Sequence, residues 1–232
     1  MKKTLKVLAA IAAVLLLFGL LTVALNRIFN ETGWLCKEYL DDLDNEVYKD
    51  YGITAEDASR VLSRMMYYST GRAKDLDVTI VENGEEVAFF NERELSHMRD
   101  VRALTKTILW MGAAALVTGI AVPIMLLIKK KNGALRTFCK AYLIALGVLA
   151  LIILILGVWI AIDFDSFWTV FHIVFLDLES STFDPAESRM IRICPAELFS
   201  DFIGNFALYA AVLVLIAAAL CVWRLVRKDK KI

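Results

Sequence analysis

Four long apolar runs, Leu8 to Leu25, Leu104 to Ile128, Ala141 to Ile162 and Phe202 to Val226, restrict this chain more than any other feature. A helix of about 20 residues crosses a hydrocarbon core of roughly 30 Å, so each run is long enough to span. Hydrocarbon offers no partner to an open peptide group, which makes helices the expected form of these runs. The sequence thus predicts a polytopic α-helical membrane protein with four transmembrane helices. Its composition agrees, with 59% hydrophobic and only 22% charged residues. Equal numbers of basic and acidic residues, 26 of each, argue against a nucleic-acid binder, and the apolar blocks argue against a polar disordered chain.

Charge is unevenly placed. Lys2, Lys3 and Lys6 precede the first run; Lys129, Lys130, Lys131, Arg136 and Lys140 lie between the second and third; Arg224, Arg227, Lys228, Lys230 and Lys231 close the chain. Residues 28–103 hold 9 basic and 17 acidic residues, and residues 161–203 hold 2 basic and 8 acidic ones. Basic flanks favour the cytoplasmic side, so both termini are expected inside and both acidic regions outside. The first run resembles a signal peptide in its basic start, but it is longer than a signal core. Asn26-Arg27-Ile28 also offers no small-residue cleavage site, and the run is therefore read as a span, with a signal anchor as the fallback. The organisation is 1–27, N-terminus and first span; 28–103, an extracytoplasmic lobe; 104–162, second and third spans; 163–201, an interfacial extracytoplasmic segment; and 202–232, fourth span and basic tail.

The lobe reads as small and mixed α/β. Leu35, Tyr39, Leu43 and Val47 have helical spacing within residues 34–51, with Gly52 as a stop. Thr54 is placed to cap a second helix with Asp57 in its first turn. Asn83-Gly84 separates Val78–Val81 from Val87–Phe90 as in a hairpin. Asn91 followed three residues later by Glu94 suggests a capping box opening a third helix, one that meets no Gly or Pro before Gly112 and so continues into the second span. Asp163-Phe164-Asp165-Ser166-Phe167-Trp168 has the aromatic content of an interfacial segment.

The chain has two histidines, His97 and His172, both expected outside. Histidine exchanges a proton near neutral pH, so a shared site would carry acid and base chemistry; an interface-stabilising pair is the plainer alternative. On a helix Arg93 and Val101 lie four residues from His97, and Glu94 and Asp100 lie three away. Either carboxylate is thus placed to orient His97 or raise its proton affinity, although an exposed charge network would give the same spacing. Trp168, Phe171 and Phe175 form an apolar stripe around His172. By itself that stripe favours packing over a catalytic pocket.

Two separated signatures carry a resemblance. Glu94-Leu95-Ser96-His97-Met98-Arg99-Asp100-Val101 is the first. The second starts at Phe171-His172-Ile173-Val174-Phe175 and continues through Phe183-Asp184-Pro185 to Cys194-Pro195-Ala196-Glu197-Leu198-Phe199. With the four spans and the large insertion after the first, the chain resembles the bacterial lipoprotein intramolecular transacylase family over nearly its whole length. The resemblance implies a substrate lipoprotein whose N-terminal cysteine carries a diacylglyceryl thioether and a free amine. The acyl chain at the second glyceryl position would move to that amine, leaving the lyso form, in the bacterial cytoplasmic membrane and with the active site at its outer face. His97 and His172 match the family's signature histidines and are the expected catalytic residues. Either histidine could take the proton from the amine while the other stabilises the tetrahedral centre or protonates the departing oxygen. Glu94 or Asp100 would orient His97, and Arg93 or Arg99 would contact a carbonyl or headgroup. Met98, Trp168, Phe171, Phe175, Phe183 and Asp184 would line the lipid or substrate pocket, Asp184 also being suited to shape a turn. Leu176 and Ser181 depart from the family pattern, where Phe and Trp are common, and bear on lipid fit more than on fold.

No cofactor, metal, nucleic acid or obligatory protein partner is implied; membrane lipids and the lipoprotein are the expected partners. HExxH, GxSxG and Gly-rich phosphate loops are missing from the sequence, and the four cysteines have no metal-ligand spacing. Cys36 and Cys194 are both expected outside, where a disulfide is permitted. The competing readings are an envelope receptor or assembly protein and, behind it, a small transporter, for which the spans carry few ionisable groups.

Overall fold

The computed structural model describes residues 3–31, 33, 53–82, 84–176, 183–184, 187–194 and 196–227. Among them run α1 (Lys3–Asn30), α2 (Ala55–Thr70), β1 (Thr79–Glu82), β2 (Glu85–Ala88), α3 (Glu92–Ile128), α4 (Asn132–Ile162), α5 (Phe164–Phe175), α6 (Arg189–Arg192) and α7 (Ala196–Val226). The helix expected within 34–51 lies outside the described residues. Contacts divide the chain into two compact units, one of residues 1–25, 108–164 and 206–232, the other of residues 26–107 and 165–205.

The first unit is built from helices long and apolar enough to cross a membrane, and the chain has four such helices among the described residues. Small residues let α1 and α3 approach until their backbones touch. A Cβ added at Gly19 would meet the Leu116 Cα at 2.6 Å, and one at Gly119 would meet the Leu16 Cα at 2.6 Å. Such approach matters in lipid because tails are as apolar as leucine, leaving close packing and hydrogen bonds to hold helices together. Thr22 satisfies its hydroxyl within α1, donating to the Gly19 carbonyl at 2.8 Å. Between α4 and α7, the buried Tyr142 hydroxyl donates to the Val214 carbonyl at 3.0 Å, and Arg136 donates to the Leu225 carbonyl at 3.0 Å. Farther along α4, Leu151 to Leu156 are exposed apolar side chains, the surface a lipid-facing helix presents.

The second unit has a core of its own. Ala58, Val61, Leu62, Met65 and Tyr68 recur on one face of α2 and pack with Ile80, Phe89, Phe90, Met98, Met190, Ile193 and Leu198. The Thr54 hydroxyl caps α2 by accepting from the Asp57 amide at 3.1 Å, as its sequence predicts. Gly71 ends α2 at φ +84°, the left-handed conformation that favours glycine. The hairpin forms in antiparallel register, Thr79 opposite Ala88 and Glu82 opposite Glu85, with Gly84 at φ +86° in the turn. β2 ends at Ala88, two residues before the expected Phe90; the Phe89 amide still donates to the Val78 carbonyl at 2.9 Å, and both phenylalanine side chains enter the core. The capping box also forms. The Glu94 amide donates to the Asn91 Oδ1 at 2.9 Å, and the Asn91 amide donates back to the Glu94 Oε2 at 2.8 Å. From that cap α3 runs unbroken for 37 residues, with Pro123 inside.

Candidate active site

His97 and His172 meet within the second unit, their ring centroids 5.9 Å apart and their planes 25° from parallel. His97 stands in the second turn of α3, set by the cap at Asn91; His172 is the buried member of α5. Only 7% and 6% of their surfaces remain exposed, low enough that water cannot dominate either ring.

The two rings are held differently. His172 Nδ1 lies 2.8 Å from the Trp168 carbonyl oxygen one helical turn earlier. That oxygen can only accept, so Nδ1 donates and the neutral ring keeps its lone pair on Nε2. The Trp168 ring meets His172 edge-on at 4.6 Å and Phe171 meets it at 5.5 Å. Phe199 lies 5.0 Å from Trp168 and supports it. The predicted stripe is real in this respect: Trp168 and Phe171 wall one side of the imidazole, while Phe175 packs on Phe171 and is largely exposed.

His97 has buried Nδ1 without a hydrogen-bond partner among the described residues. Phe183 meets it in an edge-to-face contact at 5.3 Å, and the Arg93 guanidinium lies over the Phe183 ring at 5.6 Å. His97 precedes the apolar part of α3, and its pKa falls to about 4. Burial is the main cause, the neighbouring His172 adds to it, and Asp100 pulls weakly the other way. Asp100 does raise the proton affinity of His97, as its spacing suggests, but desolvation outweighs it.

Glu94 differs from expectation. Its carboxylate accepts from the Asn91 amide, from the Ser188 hydroxyl at 2.6 Å and from the Met190 amide at 3.0 Å, and no hydrogen bond joins it to His97 among the described residues. Met98, expected to line a substrate pocket, is buried in the core of this unit, because one residue beyond His97 the helix has turned about 100°. Arg99 is exposed on α3. Asp184 is exposed and shapes a turn through its backbone carbonyl, which accepts from the Glu187 and Ser188 amides at 3.0 and 2.8 Å. Pro185, Ser181 and Cys36 lie outside the described residues, and with Cys36 the proposed disulfide. Ser188 and Met190 escaped sequence reasoning, and Phe199 entered it only as the end of the second signature, with no role; for Ser188 the usable signal was a serine immediately before Arg189-Met190-Ile191-Arg192, the N-cap that it proves to be.

Residues 10–199 match the family described as lipoprotein intramolecular transacylase Lit. The chain belongs to this family. It is accordingly a membrane-integral enzyme of intramolecular acyl transfer in lipoproteins. Its structure is similar to that of the membrane-integral lipoprotein intramolecular transacylase Lit from Bacillus cereus, with TM-score 0.78 and 17% identity over 97% of each chain. Two variants of that protein, in which a histidine is replaced by arginine or by alanine, are similar at TM-scores of 0.67 and 0.68 and identities of 18% and 17%. They cover 96% of this chain in each case, and 91% and 93% of their own. No curated protein sequence matches this chain. The segments 94–101 and 171–199, which carry the two histidines, both fall within the matched residues.

Proposed function

We propose that the enzyme moves the acyl chain at the second glyceryl position of a diacylglyceryl lipoprotein to the free amine of its N-terminal cysteine, producing the N-acyl lyso form. The observation that carries the division of labour is the hydrogen bond from His172 Nδ1 to the Trp168 carbonyl beside a His97 of low proton affinity. His172 Nε2 takes a proton from the amine as nitrogen attacks the ester carbonyl. His97, neutral at physiological pH, offers its ring N–H to the developing oxyanion, a role for which a neutral imidazole is suited. Collapse of the tetrahedral centre breaks the bond to the glyceryl oxygen, and protonated His172 returns the proton to that oxygen. One C–N bond replaces one C–O bond, and no cofactor enters the balance.

Amine and ester belong to one molecule, so the enzyme has only to fold the headgroup into a reactive pose. Arg93 and Arg99 contact its carbonyl or headgroup oxygens. Trp168, Phe171, Phe175 and Phe183 accommodate acyl chains, and Asp184 shapes the approach to them. Four spans with both termini in the cytoplasm would put the lobe of residues 28–103 and the segment 163–201 outside the bacterial cytoplasmic membrane, where lipoproteins carry their lipid. Basic flanks at the predicted inner ends support that orientation.

The test uses a mixture of two diacylglyceryl lipopeptides with free amino termini, one isotopically labelled in its second-position acyl chain and the other in its peptide. Fragmentation by mass spectrometry is required because the product is an isomer of the substrate. Amide-linked label confined to its parent molecule is the expected result; a label crossing between peptides, or remaining in the ester, contradicts the reaction.

A further inference from the structure

Glu94 is 1% exposed, yet its carboxylate makes no bond to the histidine three residues away. It ties two distant segments together. On the side of α3 it closes the capping box; on the other it holds Ser188 and Met190, 94 and 96 residues later. The Ser188 hydroxyl donates to Glu94 while accepting from the Ile191 amide at 3.3 Å, and the Ser188 amide is bound to the Asp184 carbonyl. Asp184 directly follows Phe183, the ring that covers His97. A closed circuit results: Glu94 to Ser188, Ser188 to Asp184, Phe183 to His97, and back along α3. Loss of the Glu94 carboxylate or the Ser188 hydroxyl leaves buried groups without partners, which makes the arrangement sensitive to single atoms.

We infer that Glu94 is a positioning residue for acyl transfer, fastening the segment at Ser188 and Met190 so that Phe183 stays closed over His97. This rests on the transacylase reading of the histidine pair. Glutamine at position 94 keeps the volume but presents an amide N–H where the circuit supplies only donors. Alanine at position 188 removes the hydroxyl alone, and threonine there retains it.

The experiment follows modification of His97 by diethyl pyrocarbonate in the full-length detergent-solubilised protein, read by peptide mass mapping, alongside lipopeptide turnover. The reagent acylates accessible neutral imidazole nitrogen. Glu94→Gln, Ser188→Ala and Phe183→Ala should each raise the modification rate at His97 by tenfold or more and lower kcat more than they raise KM. Ser188→Thr should behave as wild type, and Ser188→Ala with Phe183→Ala should react no faster than Phe183→Ala alone. Ser69→Ala, which removes another buried hydrogen bond of the same unit, to the Met65 carbonyl, should leave His97 protected. An unchanged rate in Ser188→Ala, an equal rise in Ser69→Ala, or faster modification with unimpaired turnover would overturn the inference. Wild-type protein that forms no N-acyl product would overturn the transacylase reading along with it.

Discussion

The segment around His97 and the segment around His172 build one site by opposite means. His97 stands on a 37-residue helix whose start is fixed by a reciprocal cap, and its ring is enclosed by side chains from elsewhere. His172 lies on a helix of 12 residues and takes its polar partner from its own preceding turn. Burial without a partner for Nδ1 leaves the first ring weakly basic; burial with a carbonyl partner fixes which nitrogen of the second is free. The same side chain thus meets two different surroundings, and the proposed division of labour draws on that difference rather than on residue type.

Replacement of His172 separates the two most strongly. His172→Ala should lower kcat/KM by ~10²–10⁴, the usual contribution of a general base. Its expression and thermal unfolding should stay close to wild type. For His97 the expected loss on substitution by alanine is ~10²–10³, as for removal of one oxyanion donor. His97→Asn, which keeps an N–H, should recover part of it; no recovery would show that proton transfer at this position is indispensable and would merge the two roles.

Acid sharpens the contrast through stability. In the unfolded chain His97 binds a proton near pH 6.5, whereas folded His97 does so only near 4, so the unfolded state holds more protons between these values. Stability from this group is complete above pH 6.5 and is lost as pH falls towards 4, by about 3 kcal/mol in all. Denaturant titration of wild type and His97→Leu at pH 7 and pH 4.5 measures it, and the acid-dependent loss should shrink in the variant. The smallest effect is expected at Asp100. Asp100→Asn removes the weak opposing influence on His97 and should change turnover at neutral pH by less than about threefold, since His97 is already neutral there. A loss as large as that of His97→Ala would make Asp100 the orienting partner after all.

Much of the architecture was legible because its causes are local or repeated. Long uninterrupted apolar runs fix the long helices, Thr54 and Asp57 the start of α2, and Asn91 with Glu94 the start of α3. Two lone histidines in separate signatures marked the candidate site, and their rings lie 5.9 Å apart. Spacing on a helix named the neighbours of His97 but left open which way the tertiary structure faces each one. Glu94 therefore reads as its orienting group until Ser188 and Met190 occupy the carboxylate, and Met98 reads as pocket until the core claims it. The sign of the His97 shift was hidden for the same reason: Asp100 is visible in sequence, and the burial that exceeds it is not. Likewise a backbone carbonyl, such as that of Trp168, leaves no mark in a residue pattern.

With two histidines in the whole chain, selective ¹⁵N-histidine labelling yields two imidazoles that His97→Asn and His172→Asn assign at once. Their ring ¹⁵N shifts, followed from pH 8 to pH 4 in the intact protein, distinguish lone-pair nitrogen from N–H nitrogen and neutral from charged rings. The expected result is a His97 that stays neutral until pH approaches 4 and a His172 whose neutral form carries hydrogen on Nδ1 and a lone pair on Nε2. A His97 that titrates at or above pH 6.5, or a neutral His172 protonated on Nε2, would contradict it.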